Sequence, residues 1–278
     1  MKKLLFYMIG VLSGALCYAQ EETRIPLTYQ SLLIGAGNTS AYDSYLSPLK
    51  YSGKNIGLMG EQMKITRLLH NRIASQHLFN LEFAETENSS GSANAYVGSL
   101  EYDYGLYYRW RPVRGFRFFA GLQSNVFAGA IYNSRNTNNP ANAKANLNLS
   151  LSAMAVYPFQ IKRQPIQLRY QINLPAVGVM FSPEFGQSYY EIGMGDESTL
   201  VYFSSWHNRL TIRSILSIEA PLSFCTLRIA VMNRLYQTQI NDLKTQIVSH
   251  SAYIGISKYF HTVSGKKTDK NKYRHVFE

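Results

Sequence analysis

Cysteine is almost absent from this chain: Cys17 and Cys225 are the two in 278 residues. Cys17 falls in a leading segment expected to be removed, and one remaining thiol cannot close an intramolecular disulfide. A cystine-stapled secreted module is therefore excluded. Long apolar runs are also missing. Beyond Leu16 no stretch approaches the ~18 apolar residues that mark a spanning helix, which excludes transmembrane helices. No Gly/Ser-rich or Pro-rich linker divides the chain, so one domain is the simplest count. There is no phosphate-binding loop, no GxSxG elbow and no His/Cys cluster at metal-ligand spacing, so no cofactor and no metal are expected. Acidic residues are the scarcer sign, 17 against 28 Lys and Arg, for a formal charge of +11.

What is present begins with MKKLLFYMIGVLSGALCYAQ. Lys2 and Lys3 form a positive n-region, Leu4 to Leu16 an apolar h-region, and Cys17-Tyr18-Ala19 a small-residue cleavage site. Residues 1–19 thus read as a secretory signal peptide, with a mature chain from Gln20. A lipoprotein reading of Cys17 is disfavoured by Leu16, where such signals carry a small residue. Discounting Lys2 and Lys3 leaves +9 on the mature chain. An exported chain with that charge is expected to meet anionic lipid headgroups or lipopolysaccharide, not nucleic acid; an ordinary solvated basic surface is the plain alternative. Tyr (21) and Phe (14) dominate the aromatics, which suits the aromatic girdles of a membrane barrel.

Alternation with a period of two runs through most of the chain. In EYDYGLYYRW (101–110), Tyr102, Tyr104, Leu106, Tyr108 and Trp110 share one face, opposite Glu101, Asp103 and Arg109. The same pattern sets Phe116, Phe118, Ala120, Leu122 and Val126 against Arg117, Gln123 and Asn125. It continues in Leu147, Leu149 and Leu151, in Leu168, Tyr170 and Ile172, in Leu210, Ile212, Leu216 and Ile218, and in Val248, Ile254 and Ile256. The runs last roughly 13–18 residues, far beyond the five or six of a soluble strand. The apolar set is expected to face lipid and the polar set the inside of a barrel. A secreted soluble β-protein would show the same alternation but seldom strands of such length.

Short turns are expected near 71–75, 111–115, 158–165 and 220–223, and longer polar connections near 38–53, 87–95, 133–143, 182–199 and 238–245. Short turns at one rim and longer loops at the other are the pattern of outer-membrane barrels. Counting between these breaks predicts an all-β, antiparallel transmembrane barrel over 20–260, with ten strands and a lumen filled by polar side chains. Twelve strands is the alternative. Strand one (about 27–37) and strand two (about 54–70, with Gly57, Gly60, Glu61 and Arg67) alternate poorly, and Pro175 in strand seven predicts a bulge or a rise above the membrane rim. Residues 261–278, with Lys266, Lys267, Lys270, Lys272 and Arg274, read as a mobile basic periplasmic tail.

The stretches YLSPLKYSG (45–53), LYYRWRPVRGFRFF (106–119) and HNRLTIRSILSIEAPL (207–222) resemble an uncharacterised family of Bacteroidota outer-membrane proteins that carry a domain of unknown function and a signal peptide. The resemblance implies location in the cell outer membrane and barrel architecture. It supplies no catalytic residues.

Candidate sites follow from the faces. Glu82, Glu101, Asp103 and Glu219, with Arg109, Arg111, Arg117, Arg169, Arg213 and Arg228, are expected to form a polar lumen network, because unpaired buried charge is very costly. A narrow conducting path is the competing reading. In SSWHN (204–208), Ser205, His207 and Asn208 are the sharpest catalytic candidates, for a surface lipid-modifying hydrolase. Residues two apart on a strand lie about 6.5–7 Å from each other, too far for a nucleophile and base, so the chain is expected to be no enzyme. Tyr42, Tyr45 and Tyr51 are candidates for contact with sugars or headgroups, with an interfacial aromatic belt as the alternative. Tyr189 and Tyr190, in an acidic loop with Glu184, Glu191, Asp196 and Glu197, are candidates for holding Ca²⁺ or a sugar, with a plain solvated loop as the alternative. His77 and His250 are expected on the lipid face. Membrane lipids or lipopolysaccharide and the barrel-assembly machinery are the expected partners, with no nucleic acid and the ligand unknown.

Overall fold

The computed structural model describes residues 25–113, 115–137, 139–195, 199–260, 273, 274, 276 and 277. The expected signal peptide (1–19) and the basic stretch 261–272 lie outside the described residues. Ten antiparallel staves make up the barrel: β1 (Thr28–Asp43), β2 (Ser47–Ile65), β3 (Ile73–Asn88), β4 (Asn94–Trp110), β5 (Arg117–Asn133), β6 (Ala141–Ile161), β7 (Gln164–Phe181), β8 in two pieces (Val201–Ser205 and Arg209–Pro221), β9 (Thr226–Ile240) and β10 (Leu243–Phe260). Each pairs with its neighbour in sequence. β10 returns to β1 from Thr245↔Asp43 to Phe260↔Thr28, so the sheet closes, while the short piece Val201–Ser205 pairs with β7 and, among the described residues, keeps its other edge unpaired.

The pleat sorts the side chains as the alternation predicts. On β4, Tyr102, Tyr104, Leu106, Tyr108 and Trp110 are exposed on the outer face, while Glu101, Asp103 and Tyr107 are buried inside. Leu147, Leu149 and Leu151 on β6, Leu216 and Ile218 on β8, and Ile254 and Ile256 on β10 extend the apolar outer surface around the barrel. Among the described residues no helix is long and apolar enough to cross a membrane. Pro175 produces the expected bulge: Ser150 pairs with Pro175 but Leu149 with Val177, leaving Ala176 as the extra residue.

Three expectations are corrected. The connections do not alternate cleanly between short and long. Strand pairing carries on through 38–43, 47–53 and 238–240, so the first connection shrinks to 44–46 and the last to Asn241 and Asp242. Those two residues have φ of 50° and 58°, the tight hairpin geometry that short polar side chains tolerate. Among the described residues the longest connection between strands is the one from Phe181 to Val201. The first two strands are as regular as the rest, running in unbroken register from Tyr29↔Met63 to Tyr42↔Lys50. Finally, Val276 and Phe277 do not trail away from the barrel but are buried in it.

Candidate functional site

The lumen is filled in layers. Nearest the loop rim, Asp43 accepts both contacts of the Asn142 amide (3.2 and 2.9 Å) and pairs with Lys144 at 3.0 Å. Beside it lies an apolar cluster that includes Tyr51, Val97, Phe127, Ile131, Tyr236 and Ile247. In the middle, Arg234 pairs with Glu82 at 3.0 Å, and Arg213 bridges Glu101 (2.8 Å) and Asp103. Glu82 also accepts from Ser249 (2.6 Å) and Thr39 (3.2 Å). Arg209 has no acid beside it among the described residues. It reaches the acidic pair through two amides: it donates to Asn148, Asn148 donates to Asn125 (2.8 Å), and Asn125 donates to both Glu101 and Asp103 (2.8 Å each). Aligned amide dipoles thus link the separated charges.

An apolar patch of Leu33, Met59, Leu78, Ile215, Met232 and Tyr253 lines one side of the lumen beneath this layer, while on the other side Gln76, Gln171 and Tyr107 are hydrogen-bonded to one another. Below it, Glu61 takes both Arg169 and Arg228 and accepts from Gln76. Glu219 accepts from the Tyr29 hydroxyl (2.6 Å) and lies 3.6 Å from Arg228. The far mouth is stopped by a second apolar cluster in which Phe277, 1% exposed, packs edge-on against Tyr29 at 4.9 Å. The Arg169 guanidinium sits 5.0 Å from the Phe277 ring centre, and Arg117 donates to the Phe277 carbonyl. Apart from Arg209, which is held by amides, the buried charges described in this lumen are paired and cross-linked between staves far apart in sequence, which resists relative sliding of the strands.

Of the residues expected inside, Glu82, Glu101, Asp103, Arg169, Arg213, Glu219 and Arg228 are buried there. Arg117 faces inward at the mouth, and Arg109, half-buried, donates to the Asn71 carbonyl at 3.2 Å. Arg111 does not belong with them: β4 ends at Trp110, and Arg111 stands exposed in the following turn. Glu61, Asp43, Lys144, Arg209, Arg234 and Phe277 complete the network and were not expected there. Glu61 was missed because its neighbours Gly60 and Gln62 hide the period of two. A period counted from Tyr51 through Asn55 and Met59 would have placed it inward.

The loop tyrosines are redistributed. Tyr42 and Tyr51 lie on strands, Tyr42 half-buried on the outer face and Tyr51 inside, where its hydroxyl accepts from Asn133 (3.0 Å). Tyr45 and Tyr189 instead tie the long loop down over the mouth. Tyr189 opens the short helix α1 (Tyr189–Gly193), whose N-terminus is closed by a reciprocal Ser188–Glu191 capping box. The Tyr189 hydroxyl accepts from the Ala143 N–H (2.6 Å) and donates to Asn142 (3.0 Å), and the Tyr45 hydroxyl donates to the Gln187 carbonyl (2.6 Å). Burial pushes the Tyr189 hydroxyl up to about 12, and burial with the nearby Asp43 and Glu191 charges raises Tyr45. Tyr190 projects outward, 75% exposed, beside exposed Phe185 and Met194. Asp196 and Glu197 lie outside the described residues, and no group of metal-ligating side chains gathers among the described ones.

Ser205 and His207 overturn the distance expected of a straight strand. The chain turns at 206–208 between the two pieces of β8, bringing Ser205 Oγ to 2.6 Å from His207 Nδ1, while Asn208 accepts from the Ser205 N–H at 3.0 Å. Among the described residues no acid or amide contacts the other ring nitrogen of His207. His77 and His250 face outward, bonded to Tyr102 (2.7 Å) and Asn233 (2.8 Å).

A closed ten-stranded barrel with an apolar exterior and a packed polar lumen is the architecture of outer-membrane barrel proteins. The chain belongs to the family described as "Protein of unknown function (DUF3316)", which it matches over residues 3–267. No curated protein matches it. Among solved structures it is similar to the outer-membrane protease OmpT from Escherichia coli, at 7% identity over 87% of this chain and 99% of that one, with a TM-score of 0.52. It is also similar to the transport unit of the autotransporter AIDA-I from Escherichia coli, at 11% identity over 92% of this chain and 97% of that one, with a TM-score of 0.47. At such identities the likeness is one of fold alone.

Proposed function

We propose that this chain is an integral outer-membrane barrel with a sealed lumen, exported by its 1–19 signal peptide and acting as a structural or receptor-like component, not an enzyme. The observation that carries this reading is the lumen itself, blocked along its length by buried ion pairs and by an apolar cluster at each mouth. A ligand or protein partner would meet the barrel at the 182–200 loop, where Phe185, Tyr190 and Met194 stand exposed. Lipid or lipopolysaccharide would surround the wall, and the barrel-assembly machinery would insert it. Heat-modifiable gel mobility in the outer-membrane fraction, with no ion conductance in planar bilayers, is the expected result. Steady conductance by the wild-type barrel would overturn the sealed-lumen reading and favour transport.

A second reading rests on the Ser205–His207 contact. It faces outward beside Phe203, where an acyl ester could approach, and a hydroxyl hydrogen-bonded to imidazole is the start of a nucleophile–base pair. Ester hydrolysis by purified barrel that is abolished in both Ser205→Ala and His207→Ala would support it. Equal activity in wild type and variants would reduce the contact to a turn-stabilising bond.

A further inference from the structure

The outer wall is not uniformly apolar. Across β10, β1, β2 and β3, near the rim where both chain ends lie, a groove of about 430 Å³ opens on the exterior, lined outward by Leu32, Gly60, Phe79, Ile256, Gln30 and Lys258, with Gln62, His77 and Tyr102 at its margins. That volume is in the ~300–1,000 Å³ range of ligand sites. Its origin is local. Gly60 has no side chain, and the Phe79 ring lies against the wall there: a Cβ on Gly60 would collide with Phe79 Cε1.

The lining changes polarity along the strands. Toward the barrel's middle it is Leu32, Ile256, Gly60 and Phe79. Toward the rim it becomes one continuous row across four staves, since Lys258 pairs with Gln30, Gln30 with Gln62, and Gln62 with His77. Lys64 follows Gln62 on the same face, one pleat nearer the rim. Among the described residues the side chains of Lys258, Gln30, Gln62 and Lys64 have no hydrogen-bond or acidic partner. At this rim the row stands at the depth of the lipid headgroups, where phosphate and ester oxygens can meet its amide and ammonium donors.

We propose that this groove binds one glycerophospholipid of net negative charge from the periplasmic leaflet, in preference to zwitterionic lipid. An acyl chain lies along Leu32, Gly60 and Phe79, and the anionic phosphate and ester oxygens accept from Lys258, Gln30 and Gln62. The row turns two amide N–H groups and one fixed positive charge to the phosphate, with Lys64 adding a second cation at the rim. The assignment rests on the outer-membrane reading, which sets this rim in the periplasmic leaflet. Lipopolysaccharide belongs to the opposite leaflet and does not reach the row.

The test is native mass spectrometry of barrels reconstituted in phosphatidylcholine vesicles containing a minority of phosphatidylglycerol, then extracted in mild detergent. Wild type is expected to retain one phosphatidylglycerol. Lys258→Gln, which removes one charge-assisted contact, should weaken that retention about tenfold. Gly60→Leu, which fills the groove and lifts Phe79, should abolish it; if that variant fails to fold, Lys258→Gln decides alone. An inserted wild-type barrel that retains no phosphatidylglycerol overturns the site alone, as does equal retention by wild type and the folded variants. A wild-type chain that does not insert into the vesicles overturns the membrane reading beneath it.

Discussion

Strands β4 and β2 are built on opposite plans at the rim that holds the chain ends. On β4 the outer face is Tyr104, Leu106, Tyr108 and Trp110, and the wall continues into stacked rings, with Trp110 near Phe118 (6.3 Å) and Phe116 against Tyr157 (4.6 Å). On the last third of β2 the outer face is Gly60, Gln62 and Lys64, and the inner face is Met59, Met63 and Ile65 around the one charged residue, Glu61. The lumen here sets an apolar cluster around Phe277 against the Glu61 ion pairs, while the outside turns polar. The difference teaches that inside and outside are set by depth as well as by the pleat. A strand leaving the hydrocarbon can exchange the character of its faces without changing its period.

The comparison can be broken most sharply at Glu61. Its carboxylate is the shared anion of Arg169 and Arg228, so Glu61→Gln leaves two buried guanidinium groups short of charge. Loss of about 3–5 kcal/mol in unfolding free energy is expected by urea titration of the reconstituted barrel. Glu219→Gln should cost less, because Glu219 lies 3.6 Å from Arg228 and its closest partner is the neutral Tyr29 hydroxyl.

The outer faces come next. Tyr104→Arg places a cation in the apolar wall and should destabilise by about 2–4 kcal/mol, whereas Gln62→Arg in the polar row should cost about 0–1 kcal/mol. Similar losses from the two would erase the distinction between the walls. A third substitution corrects a simple inside-tolerates-polar rule. Gly105 faces the lumen, yet a Cβ there would lie 2.8 Å from both Gln123 Cγ and the Tyr107 ring. Gly105→Ser is thus expected to cost roughly 1–3 kcal/mol by overpacking, measured in the same titration.

The smallest effect concerns the loop over the other mouth. Because folding raises the Tyr189 hydroxyl to about 12, its contribution is complete below the ordinary tyrosine value near ~10 and is lost as pH climbs through about 12. Proteolysis within 182–200 should accelerate over that window, and Tyr189→Phe should show faster cleavage already at neutral pH. A pH-independent cleavage rate would mean that Tyr189 does not hold the loop.

Much of this was legible in the sequence, for a stated reason. On β4 to β8 the outer face is apolar over nearly the full strand, so a period of two revealed both the strand and its orientation. Strands β1 and β2 obscured themselves because glycines alternate with polar residues on both faces, and Glu61 was lost with them. The lumen acids and arginines could be assigned to a face but not to partners. Arg213 and Asp103 are 110 residues apart in sequence, and only closure of the barrel brings them together. Ser205 and His207 failed the strand rule because the chain leaves the strand between them, a turn that no glycine or proline announces.

Val276 and Phe277 carry a consequence in time. They follow β10 in the chain, and the socket they fill is assembled from Tyr29 on β1, Phe119 on β5, and Met154 and Val156 on β6. No such socket exists while the staves are still an open ribbon, so the stopper can seat only after β10 has met β1. Burial of Phe277 is therefore expected to report that the ring is finished: a barrel caught half-built should still show that residue to solvent.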